Sequence, residues 1–181
     1  MSTIEVNTID SVSGTSTITV GGSNATAISL ADDTSLATGK LQSNFLYPAF
    51  HVVKTSVQSI AHATGTDITY DTEKFDTASA FSSTTFTVPS GQAGKYYFYA
   101  NNGLDGAAPS RTFVRIMQNG TGVLTVETGS ASSYSNIFVG GVIQCAAGDT
   151  FKTQIYHDQG SNQNTHGSTA RAFFGGYRIG T

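Results

Sequence analysis

The side chains equipped for catalysis or metal binding are few: His51, His62, His157, His166, Cys145, Asp149 and the pair Asp32–Asp33. None of the histidines stands in the His-x-x-x-His or Glu-x-x-His spacing that sets two ligands on one helical face. The stretch "HDQGSNQNTH" gathers His157, Asp158 and His166 in one loop. They could hold a cation there, or one histidine from each of three copies could meet on an axis; the plainer reading is a set of solvated polar residues. Cys145 sits in the apolar run "VIQCAAGD" and reads as a small buried hydrophobe rather than a nucleophile. A lone cysteine also excludes a disulfide framework within one chain. Asp149 follows Gly148 and reads as a turn former, and Asp32–Asp33 as a capping or solvated pair. A Gly-x-Ser-x-Gly elbow and a phosphate-binding loop are both missing. The expectation is therefore no catalytic residue, no metal, no cofactor and no enzyme.

Binding is the chemistry that remains. The loops "NNGLDGAAPSR", "TGSASSYSN" and "DQGSNQNTHGST" are rich in amides and hydroxyls. Loops carried on a rigid scaffold are where recognition concentrates. Amide side chains with an occasional aromatic suit saccharides and other neutral polar targets. The candidate receptor-binding residues are Asn101, Asn102, Asp105, Tyr134, Asn162, Gln163 and Asn164. The competing reading is that these loops serve solubility alone.

Such loops need strands to carry them. Of the 181 residues only 12% are charged, with a net charge of −3, and Gly, Ser, Thr and Asn fill the gap. That composition favours short strands joined by turns. Eleven Phe and 8 Tyr are enough for a real core. Without a Lys/Arg run, a nucleic-acid partner is not expected. No segment has the apolar length of a membrane helix, so membrane insertion is not expected either. "MSTIEVNTID" lacks the basic and apolar regions of a secretory signal. The expectation is a chain made in the cytoplasm, with any extracellular role reached by another route such as lysis.

The chain divides near residue 46. Residues 1–46 show brief alternation, at Ile4 and Val6, Ile18 and Val20, and Ile28 and Leu30, but too little apolar mass for a core of their own. Either they are a disordered tail or they form a thin β-structure completed by neighbouring copies; the regular alternation favours the second. "DDTSLATGKLQSN" has room for one helical turn, capped by Asp33 or Thr34 and ended by Gly39. From residue 47 onward the candidate strands are "AFHVVKTS", "DITYD", "TTFTVP", "KYYFYANN", "RTFVRIMQ", "GVLTVETG", "NIFVGGVIQC", "TFKTQIYHD" and "RAFFGGYRI". "QNGTG" around Asn119-Gly120 is a hairpin signal. This spacing of strands implies a β-sandwich or barrel.

In "KYYFYANN" the aromatics run from Tyr96 to Tyr99, so both faces of one strand are aromatic. A strand with one dry face needs a hydrophobe only at alternate positions.

The run from Tyr70 to Ala100 resembles the C1q-like globular domain of the wider tumour necrosis factor jelly-roll group. Tyr70, Asp76, Phe81, Phe86 and then Gly94-Lys95-Tyr96-Tyr97-Phe98 carry the likeness. "GDTF" at Gly148–Phe151 resembles the opening of a late strand of that family, and "FGGYRI" at Phe174–Ile179 its closing strand. Phe86 stands closer to Phe81 than the family pattern, with a longer "SGQAG" turn. The resemblance implies an all-β jelly-roll sandwich over 47–181 whose inner sheet packs on two other copies around a three-fold axis. The second aromatic face then has a purpose. Tyr96 and Phe98 fill the core, while Tyr97 and Tyr99 face the partners of a homotrimer, one register slip exchanging the pairs.

Residues 1–46 resemble the leading segments of bacteriophage tail-fibre and virion-fibre proteins. Together the two resemblances imply a homotrimeric virion fibre protein. A β-rich N-terminal arm would join other virion proteins, and a C-terminal knob would bind a host-surface glycan or protein. The alternatives are a structural head fibre, decoration or connector protein, and a cell-encoded C1q-like lectin module.

Overall fold

The computed structural model describes residues 46–106, 109–129 and 136–180. The expected arm (Leu46 excepted), its helical turn and Tyr134 lie outside the described residues. Every regular element described is a strand: β1 (Ala49–Val53), β2 (Ser59–Ile60), β3 (Thr66–Asp67), β4 (Thr72–Asp76), β5 (Phe81–Ser82), β6 (Thr85–Thr87), β7 (Gly94–Asn102), β8 (Leu104–Asp105), β9 (Arg111–Gln118), β10 (Thr121–Gly129), β11 (Ile137–Cys145), β12 (Thr150–His157), β13 (Gln163–Thr165) and β14 (Phe173–Gly180). The first sheet has the order β11-β7-β14-β1-β4 and the second β10-β9-β12-β6-β5, with β3 pairing to β12. A small third sheet, β2-β13-β8, closes one end.

The two large sheets face each other across an aromatic core. Phe50, Phe98 and Phe174 come from the first sheet, Phe86 and Phe151 from the second, and all are fully buried. Rings stack across the gap, Phe50 on Phe86 at 4.4 Å and Phe98 on Phe151 at 4.1 Å between centroids. Such pairs add about 1 kcal/mol each beyond the area they bury. Tyr96, Phe98, Ala100 and Asn102 of β7 alternate into this core, and Tyr97, Tyr99 and Asn101 point the other way. The alternation in "KYYFYANN" thus resolves in the expected register.

Most expected strands are present, and the β9–β10 hairpin turns at Asn119-Gly120 with positive φ at both residues, as a two-residue turn that matches strand twist requires. Two expectations need correction. "DITYD" is not a strand beyond Asp67: Ile68 and Tyr70 are buried, but their amides go to Thr153 and Ser83, so the backbone leaves one partner for another. The strand lies one step later, in β4. It is an edge with little apolar signal, its Glu73 and Lys74 being exposed. The close spacing of Phe81 and Phe86 is the tight β5–β6 hairpin, in which the two residues are direct backbone partners.

Hydrogen bonds mark two poles. At the basal pole, Arg178 N–H reaches Pro48 O, the Arg178 guanidinium reaches Ala93 O, and Val88 N–H reaches Asp149 O. Asp149 accepts from Asn119 Nδ2, Gln118 Nε2 and Ala146 N–H, which ties the β9–β10 and β11–β12 turns together. At the apical pole, Asp158 accepts from Ser110 Oγ and Arg111 N–H, and β13 pairs with both β2 and β8. Nine-residue β7 spans the interval, about 27 Å from end to end.

Candidate functional site

The outer face of the first sheet is aromatic from edge to edge. Phe138 and Val142 on β11, Tyr97 and Tyr99 on β7, Phe173 and Tyr177 on β14, His51 on β1 and Phe75 on β4 share it by register. Phe138, Val142 and Phe75 are 53%, 55% and 47% exposed. A contiguous exposed apolar surface of this kind marks an interaction site. Tyr97 lies 6.2 Å from Tyr99 and 5.7 Å from Tyr177 between centroids.

Gly175-Gly176 on β14 seats the rings of β7, and a second Gly-Gly pair lies on β11. Gly140-Gly141 on β11 and Gly175-Gly176 on β14 flank β7 on its two sides. In both, the first glycine pairs with Tyr99 and the second with Phe98. A Cβ at Gly175 would stand 2.5 Å from Tyr99 Cζ, and one at Gly176 2.5 Å from Phe98 Cδ1. The missing side chains let the Tyr99 ring lie down on the outer face and the Phe98 ring on the inner one. Cross-strand covering of glycine by an aromatic ring pins register.

His51 sits on β1, between β14 and the edge strand β4, its ring 5.8 Å from Tyr99, 5.7 Å from Phe173 and 6.1 Å from Phe75. Its Nδ1 is 3.0 Å from Tyr99 Oη. Burial first, and the Lys74 ammonium second, hold the His51 imidazole below its ordinary range. Burial, then the neighbouring Tyr177 and Tyr97, raise Tyr99. Both groups are therefore neutral at neutral pH, and the face carries no charge at its centre.

Against known proteins, no family model matches this chain, and no curated sequence matches it. Solved structures do. The globular domain of zebrafish complement 1qA protein aligns at TM-score 0.53 and 18% identity over 73% of this chain and 97% of that one. Murine APRIL, in a crystal structure at pH 5.0, aligns at TM-score 0.58 and 15% identity over 72% and 98%. The fold is the C1q/TNF-like jelly roll. In this jelly roll Tyr97 and Tyr99 lie on the outer face of the first sheet, away from the core. The sequence reading missed His51, Phe75, Phe138 and Val142. "NIFVGGVIQC" and "AFHVVKTS" carried the signal, since each reads apolar at both parities.

The remaining candidates gather at the apical pole, with one exception in kind. Asn101 is half-buried, its Nδ2 donating to Arg171 O at 2.8 Å. Asp105 and Asn164 are exposed and directly paired between β8 and β13. Asn162 is exposed beside them, and Gln163 donates to Ser161 Oγ at 3.0 Å. Asn102 is not a surface group. It is the last inward residue of β7, fully buried, and its Nδ2 donates to Tyr70 Oη, which lies 2.7 Å from Thr153 Oγ1. It braces the core beneath the pole. The strands that flank 130–135 end there too, Gly129 opposite Arg111 and Ile137 opposite Asn102.

The groups weighed for chemistry have structural places. Cys145 is buried and its thiol is pushed up to about 12, by burial first and the Asp149 carboxylate second, so it is no nucleophile at neutral pH. His157 and His166 are not the solvated loop residues expected: His157 ends β12, His166 follows β13, and both are buried. Among the described residues no set of three His, Cys, Asp or Glu side chains converges as metal ligands.

Proposed function

We propose that this chain is the trimeric, non-enzymatic recognition knob of a virion fibre, and that the apical pole binds a host-surface receptor, with saccharides the favoured class. The observation that carries the reading is the aromatic outer face of the first sheet. A surface of that area and polarity needs a cover, and a second copy of the chain supplies one. Exposed apolar groups also line the rim formed by edge strands β10 and β11, at Val123, Val126, Phe138 and Val142. A face on one copy and a rim on the next make a head-to-tail contact, which closes into a ring. The C1q and tumour necrosis factor likeness supports three members. The basal pole, where residues 46–48 enter, faces away from the amide-rich loops, so attachment and recognition do not compete for surface. The Ser/Thr-rich residues 1–46, similar to phage fibre segments, support placing the knob on a virion.

Light scattering on the purified chain at micromolar concentration tests the trimer, and a monomer mass refutes it. Recognition is tested by competition. Soluble knob should block adsorption of particles to host cells, and Asn162→Ala with Asn164→Ala should weaken the block at an unchanged melting temperature. A trimer that never competes is a structural fibre, decoration or connector protein instead.

A further inference from the structure

Segment 158–162 crosses the apical pole just ahead of Gln163 and Asn164, and two imidazoles hold it. Gly160 N–H donates to His62 Nδ1 at 3.0 Å, and Gln159 N–H donates to His157 Nδ1 at 3.2 Å. A backbone amide can only donate, so each Nδ1 must offer a lone pair. The ring proton then belongs on Nε2. His157 Nε2 is placed for this, 3.1 Å from Ile60 O. The same ring is fully buried, and its own carbonyl accepts from Ala63 N–H at 2.8 Å, which fastens the His62 turn alongside. The two rings stand 6.4 Å apart. Heavy-atom positions alone therefore require both histidines neutral.

We propose that His62, seated against the buried ring of His157, forms an acid-sensitive latch on segment 158–162. Imidazole gains its proton between neutral and mildly acidic pH. A proton on His62 Nδ1 points at the Gly160 N–H and turns an attraction into a repulsion. The charged groups around the pair offer little relief. Asp158 is committed to Ser110 Oγ at 2.6 Å and Arg111 N–H at 2.9 Å, and the Arg111 guanidinium to Glu127 at 2.7 Å. Hydrogen bonding from Ser110 and then Arg111 lowers Asp158, which stays ionised and bound where it is. His166, the other titratable ring of this pole, is buried on β13's flank. His62 is the exposed member and meets solvent protons directly. Acid thus unfastens the Gly160 amide, and segment 158–162 loosens ahead of β13 while the sandwich stays intact. The latch itself does not depend on what the pole binds. Only its consequence for recognition rests on the reading above.

Amide exchange on the full chain at pH 7.5 and pH 5.0, corrected for the intrinsic rate, tests it without any ligand. Protection of Gly160 relative to core Val114 should fall about tenfold on acidification, the scale of one lost hydrogen bond. His62→Asn keeps an acceptor oxygen near Nδ1 that takes no proton, so it should hold Gly160 protected at both pH values. His62→Ala should leave it unprotected at both. Equal protection at the two pH values in the parent chain, or an acid-induced loss in His62→Asn as large as the parent's, overturns the proposal.

Discussion

Adding one methyl group at Gly176 should cost the domain far more than adding one at its neighbour Gly175. The Cβ of Gly176→Ala would stand 2.5 Å from Phe98 Cδ1 and 3.1 Å from Phe50 Cε1, about 0.9 Å short of ordinary contact with Phe98. Phe98 has nowhere to go. It is fully buried, stacked at 4.1 Å on Phe151 and at 5.7 Å on Tyr96. Overpacking of a closed core costs about 1–3 kcal/mol, and a site with rigid rings on both sides belongs at the top of that range. For a domain of this size roughly 3 kcal/mol lowers Tm by about 10 °C. Gly175→Ala meets Tyr99, 2.5 Å away at Cζ, on the outer face. That ring can swing outward and give up His51 Nδ1, although Phe50 O at 2.9 Å still resists. Its cost to folding should be about 1–2 kcal/mol, the fixed Phe50 carbonyl included, with the larger effect on self-association. Calorimetry and light scattering on both variants give the comparison. A Gly176→Ala chain that melts within about 2 °C of the parent, or a Gly175→Ala chain that melts lower than Gly176→Ala, would refute the packing argument.

Three further outcomes are expected. The double variant Tyr97→Lys with Tyr99→Lys should stay folded and run as a monomer in light scattering, since an unpaired charge trapped in an apolar contact costs several kcal/mol per copy; a full trimer would show that the face lies elsewhere. Burial alone would push Asp71 up, but hydrogen bonds from the Ser56 and Thr55 side chains and amides outweigh it and hold the carboxyl well below its usual range. The unfolded chain then binds the proton first, so this stabilisation is present above about pH 4 and is lost as pH falls further; urea midpoints should show that acid limb in the parent chain and a flatter one, with lower stability at pH 7, in Asp71→Asn. Cys145 should resist thiol reagents at pH 8 in the folded chain and react on unfolding; labelling faster than global opening would contradict its burial.

The elements with local signals were legible. Alternation separated Tyr96 and Phe98 from Tyr97 and Tyr99, and Asn119-Gly120 announced its hairpin, because both depend on neighbours in sequence. What failed depends on partners far along the chain. Asn102 in "NNG" has the composition of a turn, yet its amide finds Tyr70 Oη across the core. Thr72–Asp76 is a strand only because β1 offers an edge to it. Gly175-Gly176 gave no sign of its purpose, since its meaning lies in sharing a register with Tyr99 and Phe98, whose rings fill the space a Cβ would take. At the apical pole, the pairing of Asp105 with Asn164 was not visible, since it follows from the order of strands in the small third sheet.

The two poles separate what can vary from what must not. Pro48 and Arg178 meet at the base, and strands β7, β10 and β12 all end at the apex, about 27 Å away. Rewriting an apical loop leaves the glycine seats, the stacked rings and the basal hydrogen bonds untouched. The apical segments can therefore change piecemeal, one residue or one insertion at a time, while the sandwich keeps the same solution to the folding problem.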